Sequence, residues 1–225
     1  MSLLDAYEPI PTRVLPVVLL LDTSGSMAED DKISVLNDSV TEMIEELTDA
    51  DGGHGYITLS VIAFGGSEAR LVEAHTPVAD VQFSSLRANG KTPFGSALAL
   101  AQQVIDDRTA LPARAYRPTI ALVSDGLPTD QGWEGKLEAL VTSERGEKST
   151  RFALAIGADA NRDVLKRFTG GQVHEANEAS EIRTFLRFVT MTITEATLTA
   201  YEPDAPDPVA DSPESLARLQ EPDAF

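Results

Sequence analysis

Three short segments carry oxygen-bearing side chains in arrangements suited to a hard cation. Asp22-Thr23-Ser24-Gly25-Ser26 sets one carboxylate and two hydroxyls at alternate positions on a tight turn, so that Asp22, Ser24 and Ser26 point their oxygens to one side. Ser124-Asp125-Gly126-Leu127-Pro128-Thr129-Asp130 puts a second carboxylate, Asp125, directly after an apolar run. Gly90-Lys91-Thr92-Pro93-Phe94-Gly95 adds the hydroxyl of Thr92 just ahead of a helical pattern. A Mg2+ ion takes six oxygens at about 2.0–2.1 Å and keeps several waters. Asp22 and Asp125 would roughly neutralise such an ion while three uncharged hydroxyls filled part of its shell. The expected chemistry is a cation still electrophilic towards one more anionic oxygen, a receptor for a carboxylate from elsewhere. Read alone, Asp22-x-Ser24-x-Ser26 is also what an ordinary Asx turn looks like; the ordered presence of Thr92 and Asp125 favours the metal.

These segments need elements to position them. Val14 to Leu21 and Arg117 to Ser124 are nearly continuous apolar runs ending at an acid and a turn, the pattern of central parallel strands buried on both faces. Tyr56 to Phe64 and Ser149 to Gly157 read the same way, Ala69 to Ala74 follows a Gly65-Gly66 turn as a hairpin partner, and Val173 to Ala176 is a short last strand. Ile33, Leu36, Val40, Met43, Ile44 and Leu47 recur at helical spacing, as do Phe94, Ala97, Leu98, Ala101, Val104 and Ile105. Further helices are expected over Trp133 to Arg145, Asn161 to Phe168 and Ala179 to about Thr197. Strands alternating with helices predict an α/β fold: a doubly wound, mostly parallel six-stranded sheet with one antiparallel edge strand and helices on both faces. Ligands of such a sheet bind beyond the carboxyl ends of the strands, where the strand order reverses. The expected boundaries are a lead-in over 1–12, one domain over 13–200 and a tail over 201–225.

The strand-Asp22-x-Ser24-x-Ser26 pattern, Thr92 in GKTPFGSAL and Asp125 in SDGLPTD together resemble a von Willebrand factor type A (VWA) domain with its metal-ion-dependent adhesion site, or MIDAS. The resemblance runs from Val14 to Val189. More narrowly, LPVVLLLDTSGSM, LSVIAFGG and RPTIALVSDGLPTD are similar to the bacterial TerY-type tellurium-resistance group. The VWA resemblance implies a Rossmann-like sheet. It further implies Ser24, Ser26 and Thr92 as direct or near-direct ligands, Asp22 and Asp125 as ligands directly or through water, and Mg2+, Mn2+ or Ca2+ as the ion. A protein partner's Glu or Asp would complete the shell. The TerY-type resemblance implies a cytoplasmic part in a chemical-stress response, with kinase and phosphatase components as partners.

Composition narrows the alternatives. With 18 Lys and Arg against 36 Asp and Glu, the chain has a net charge of −18, a field that repels nucleic acid and anionic membrane surfaces. Cysteine is absent, and His54, His75 and His174 lack zinc-ligand spacing, so a metal here must be held by oxygen. The apolar run from Val14 to Leu21 is far short of the ~20 residues that cross a bilayer, and no basic start or cleavage pattern marks a secretory signal. A cytoplasmic location is the expectation. An enzyme is not expected: an aspartate-nucleophile phosphatase would want a second acid where Ser24 stands, and no general base stands out. Gly90-Lys91-Thr92 is similar to part of a phosphate loop, but Ser85 occupies the required glycine position.

Three neighbours of the constellation have two readings each. Lys91 either steers an incoming carboxylate or is a solvated loop charge. Trp133 either anchors a partner on the rim or packs at a helix start, the more frequent outcome. Asp130 either supports the ion from behind or, preferred, caps the helix near Trp133. The tail from Tyr201 to Phe225 has five prolines and seven acids against one base, Arg218, and is expected to be extended. One of its acids occupying the ion in cis is the sharper reading of that composition.

Overall fold

Every residue of β1 (Leu15–Asp22) is buried, with Leu15, Val17, Leu19 and Leu21 in one apolar layer and Val18 and Leu20 in the other. This two-sided burial is why the run is apolar without alternation. The computed structural model describes residues 13–52 and 56–200, so the lead-in 1–12, His54 and the tail 201–225, with the expectation that one of its acids occupies the ion, lie outside the described residues. A 3-10 turn (Gly25–Asp31) follows β1 and leads into α1 (Lys32–Asp51). Next come β2 (Ile57–Gly65), β3 (Glu68–Pro77), α2 (Phe94–Asp106), β4 (Thr119–Ser124), α3 (Trp133–Thr142), α4 (Glu144–Lys148), β5 (Thr150–Ile156), α5 (Arg162–Thr169), β6 (His174–Ala176) and α6 (Ser180–Ala200).

The sheet order is β3-β2-β1-β4-β5-β6, with β3 antiparallel to β2 and all other neighbours parallel. The expected six-stranded mixed sheet is therefore the one found. The chain winds outward from β1 to β3 and then restarts at β4 on the other side of β1, which places the strand-order reversal between β1 and β4. Helices α1 and α6 bury Leu36, Val40, Met43, Leu47, Ile182, Phe185 and Val189 against one face. Helices α2, α3 and α5 bury Phe94, Leu98, Leu137, Leu140, Val164 and Phe168 against the other. Removing a fully buried leucine such as Leu19 or Leu20 would cost about 2–5 kcal/mol.

Two local features depart from the simple pattern. The helix expected over Trp133 to Arg145 is broken at Ser143, whose extended backbone (φ −63°, ψ 154°) ends α3, while its Oγ accepts the Gly146 N–H at 3.0 Å and opens α4. Serine competes with helix continuation through just such local bonds. The β2–β3 ladder slips on either side of Val61, close to His75 at φ 50°, and the His75 N–H is taken up by Ser60 Oγ at 2.9 Å. This bulge bends the edge strand.

Candidate metal centre

The parallel register sets the carboxyl ends of β1 and β4 side by side. Leu21 pairs with Val123, so Asp22 and Ser124, the next residues, leave the sheet together. Ser124 Oγ donates to Asp22 Oδ2 at 2.6 Å, and the Ser24 N–H donates to Asp22 Oδ1 at 2.8 Å. Asp22 is completely buried. Burial pushes its carboxyl up to about 6, against the opposing pull of the Ser124 and Ser24 bonds and with a small further push from Asp125.

From Ser24 the chain of contacts continues across the turn. Ser24 Oγ lies 3.1 Å from Ser26 Oγ, and Ser26 Oγ donates to Asp125 Oδ1 at 2.7 Å. With its proton committed to Asp125, Ser26 accepts from the Ser24 hydroxyl and keeps one lone pair for a cation. Asp125, also buried, closes an arc running from β1 to β4.

Thr92 arrives from a third loop that backbone bonds fasten to the other two. The Asn89 N–H donates to Thr23 O (2.7 Å), the Gly25 N–H to Gly90 O (3.0 Å), the Gly66 N–H to Asn89 O (2.7 Å) and the Lys91 N–H to Gly66 O (3.2 Å). Gly90 sits at φ +68°, and a Cβ there would meet Gly66 Cα at 2.5 Å, so this stitching requires glycine. On its other side the Thr92 N–H donates to Thr129 Oγ1 and Thr92 O accepts from the Thr129 N–H, both at 3.0 Å. Thr92 is buried, and its Oγ1 lies 3.2 Å from where a Cβ on Gly126 would stand, so the hydroxyl faces the loop that carries Asp125.

The structure thus links Asp22, Ser24, Ser26 and Asp125 in one hydrogen-bonded arc and brings Thr92 against it. The donor set is two carboxylates and three hydroxyls, all oxygen, which fits a hard divalent ion. Among the described residues no group of three or more His, Cys, Asp or Glu side chains converges, so a centre here owes its capacity to serine and threonine.

The neighbours fall out differently. Lys91 is exposed on the Thr92 loop. Trp133 opens α3 and packs edge-on against Phe94 at 6.2 Å, with the Arg167 guanidinium 5.6 Å over its ring. Asp130 does cap a helix, but α2 rather than α3: its Oδ1 and Oδ2 accept the N–H groups of Gly95 (3.1 Å) and Ser96 (3.0 Å). The α3 N-cap is Gly132 instead. Asp130 lies six residues past the end of β4, within reach of an adjacent helix start that only the fold reveals.

Three residues without an assigned role in the sequence reading prove to be integral. Ser124 orients Asp22, Thr129 clamps Thr92, and Lys32 reaches back from the start of α1 to Asp125 Oδ2 at 2.9 Å. Ser124 and Thr129 were visible in SDGLPTD, and the rule that parallel neighbours end level would have pointed to Ser124. Lys32 carries no such signal.

Comparison with known proteins agrees with this architecture. Residues 17–127 match the family model of the von Willebrand factor type A domain. A von Willebrand factor type A structure from Catenulispora acidiphila superposes with TM-score 0.64 at 20% identity, over 81% of this chain and 43% of that one. Proximal thread matrix protein 1 from the mussel byssus, solved with a zinc-occupied MIDAS motif, gives TM-score 0.61 at 17% identity over 80% and 48%. The pilus adhesin SpaC of Lactobacillus rhamnosus GG gives 0.67 at 15% over 82% and 31%. This chain spans less than half the length of each of these proteins. No curated protein sequence matches it. The six-stranded sheet with one antiparallel edge strand agrees with the family match, which identifies residues 17–127 as a von Willebrand factor type A domain.

Proposed function

We propose that the domain is a metal-dependent protein-binding module in which Asp22, Ser24, Ser26, Thr92 and Asp125 hold a divalent cation that accepts a carboxylate from a partner protein. The observation that carries this reading is the meeting of oxygens from three loops at the carboxyl ends of β1 and β4. The zinc-occupied MIDAS motif of the mussel byssus protein supports a divalent ion on this fold. Mg2+ is the ion we favour, with Mn2+ and Ca2+ as alternatives, because the ligands are hard oxygens. When bound, the ion supplies a Lewis-acidic position for a foreign Glu or Asp oxygen; the chain's own residues orient the oxygens and bury the two acids. No histidine belongs to the constellation, and both Asp22 oxygens are committed to hydrogen bonds, which favours a receptor over a catalyst.

A role in a tellurite-type chemical-stress response, a cytoplasmic setting and kinase or phosphatase components as partners belong to the same proposal, and rest on the TerY-type sequence resemblance alone. Among the described residues no helix is long and apolar enough to cross a membrane. A scaffold that binds partners without metal is the competing reading. Calorimetric titration with Mg2+ and partner co-purification in Mg2+ against EDTA separate the two, using wild type, Asp22→Ala and Thr92→Val. The proposal expects both variants to lose Mg2+ uptake and cation-dependent capture; capture indifferent to EDTA and to both substitutions would establish the scaffold.

A further inference from the structure

The arc of oxygens contains one cation of its own. Lys32 Nζ is 2.9 Å from Asp125 Oδ2 and 3.5 Å from Ser26 O, and the two side chains of the pair are 14% and 1% exposed. Asp125 therefore divides its oxygens, Oδ1 to the Ser26 hydroxyl and Oδ2 to the ammonium. A charge pair this sheltered is screened far less than a surface pair. The backbone bends sharply to deliver it. Asp30 (φ 52°, ψ 36°) and Asp31 (φ 57°, ψ 13°) are consecutive left-handed residues, and they turn the 3-10 segment so that the first residue of α1 faces the centre. Left-handed backbone costs an L-residue roughly 1–2 kcal/mol, less for aspartate, so two in succession mark a conformation held by its surroundings.

We propose that Lys32 is a resident counter-charge that weakens the centre's hold on a divalent ion and strengthens the loaded centre's hold on a partner carboxylate. This rests on the metal reading above and adds its electrostatics. Asp22 and Asp125 with Lys32 sum to −1 rather than −2. A divalent ion raises the sum to +1, where without Lys32 it would be zero. The incoming carboxylate then meets a net positive site on a chain whose overall charge of −18 opposes its approach. One group thus sets two affinities in opposite directions. Were Lys32 purely structural, holding Asp125 in place, removing it would lower both together.

The test uses Lys32→Met, which keeps the aliphatic stem, and Lys32→Arg, which keeps the charge. Mn2+ uptake is followed by loss of the free-ion electron paramagnetic resonance signal. Acetate binding to the Mn2+-loaded protein is followed by the fall in water-proton relaxation. Lys32→Met should bind Mn2+ about tenfold more tightly and acetate about tenfold more weakly, the scale of one partly buried charge, while Lys32→Arg stays near wild type. Saturating Mn2+ should also raise the melting temperature of Lys32→Met more than that of wild type, since tighter binding to the native state stabilises it further. A Lys32→Met that matches wild type in both constants, or weakens both, overturns the role given to Lys32. A wild type that takes up no Mn2+ refutes the metal reading itself, and this proposal with it.

Discussion

Gly90 and Gly132 form a matched pair that measures how much of this domain's stability resides in the stitching of its loops. Both hold left-handed backbone, at φ +68° and +72°. They differ in surroundings: a Cβ on Gly132 meets nothing within 4 Å, whereas one on Gly90 would stand 2.5 Å from Gly66 Cα and 3.0 Å from Gly66 N. Alanine at a left-handed position costs about 1–2 kcal/mol, partly offset by about 0.4–1 kcal/mol from a stiffer unfolded chain, so Gly132→Ala should lose about 1 kcal/mol. Gly90→Ala carries the same cost and must also push Gly66 away, straining the Gly66 N–H to Asn89 O and Lys91 N–H to Gly66 O bonds. At about 0.5–1.5 kcal/mol for each bond, its total comes to about 3 kcal/mol. For a chain of this size the melting temperature falls by about 2–4 °C per kcal/mol, giving roughly 6–12 °C for Gly90→Ala and roughly 2–4 °C for Gly132→Ala. Scanning calorimetry of the two variants beside wild type reads this directly. Because Thr92 is two residues beyond Gly90, Mn2+ uptake should weaken in Gly90→Ala and persist in Gly132→Ala. Equal melting temperatures for the two variants would refute the claim that close loop packing, rather than backbone sign alone, demands glycine at position 90.

Asp130→Ala removes the acceptor for two N–H groups at the start of α2 and should cost about 1–2 kcal/mol; thermal melts read the loss, and hydrogen exchange at Gly95 and Ser96 should quicken while the start of α3 is unaffected. His174 lies against Phe185 and Phe188, with Lys166, Glu175, Glu181, Arg183 and Arg187 lining the same roughly 980 Å³ cavity. Burial lowers its pKa below the usual 6.5. The unfolded chain then binds more protons as pH falls below 6.5, so this contribution is present above that pH and is lost on acidification. His75 is shifted in the same direction by burial, against a smaller opposing pull from Asp107. His174→Phe should therefore flatten, but not abolish, the decline in urea-unfolding stability between neutral and acidic pH; an unchanged pH profile would contradict the assignment.

The sheet was legible because its strands are buried on both faces and so write themselves as unbroken apolar runs, and because each run ends at a turn. The antiparallel edge strand was legible from Gly65-Gly66. Asp22, Ser24, Ser26, Thr92 and Asp125 could be picked out because they follow strands or precede a helix, where an open α/β sheet gathers its ligands. What the sequence withheld depends on contacts between distant segments. The break at Ser143 is a local competition between a hydroxyl and a helix that periodicity does not register. Asp130 was assigned to the helix nearest in sequence, whereas space offered the start of α2. Lys32 had no signature, since its partner lies 93 residues away and its direction comes from two left-handed aspartates that composition cannot announce.

The two borders of the sheet differ from its middle in a way that bears on strand addition by another chain. One border, β3, is long but kinked at its bulge, bears Glu68, Arg70 and Glu73, and stops at Pro77. The opposite border, β6, runs for only three residues. Neither gives a foreign strand a flat row of free amides to zip onto, and charge, kinks and brevity are the usual guards against runaway strand addition. If the proposed metal centre is the docking site, a partner would instead meet the loop-built end, through a few polar atoms at the carboxyl ends of β1 and β4.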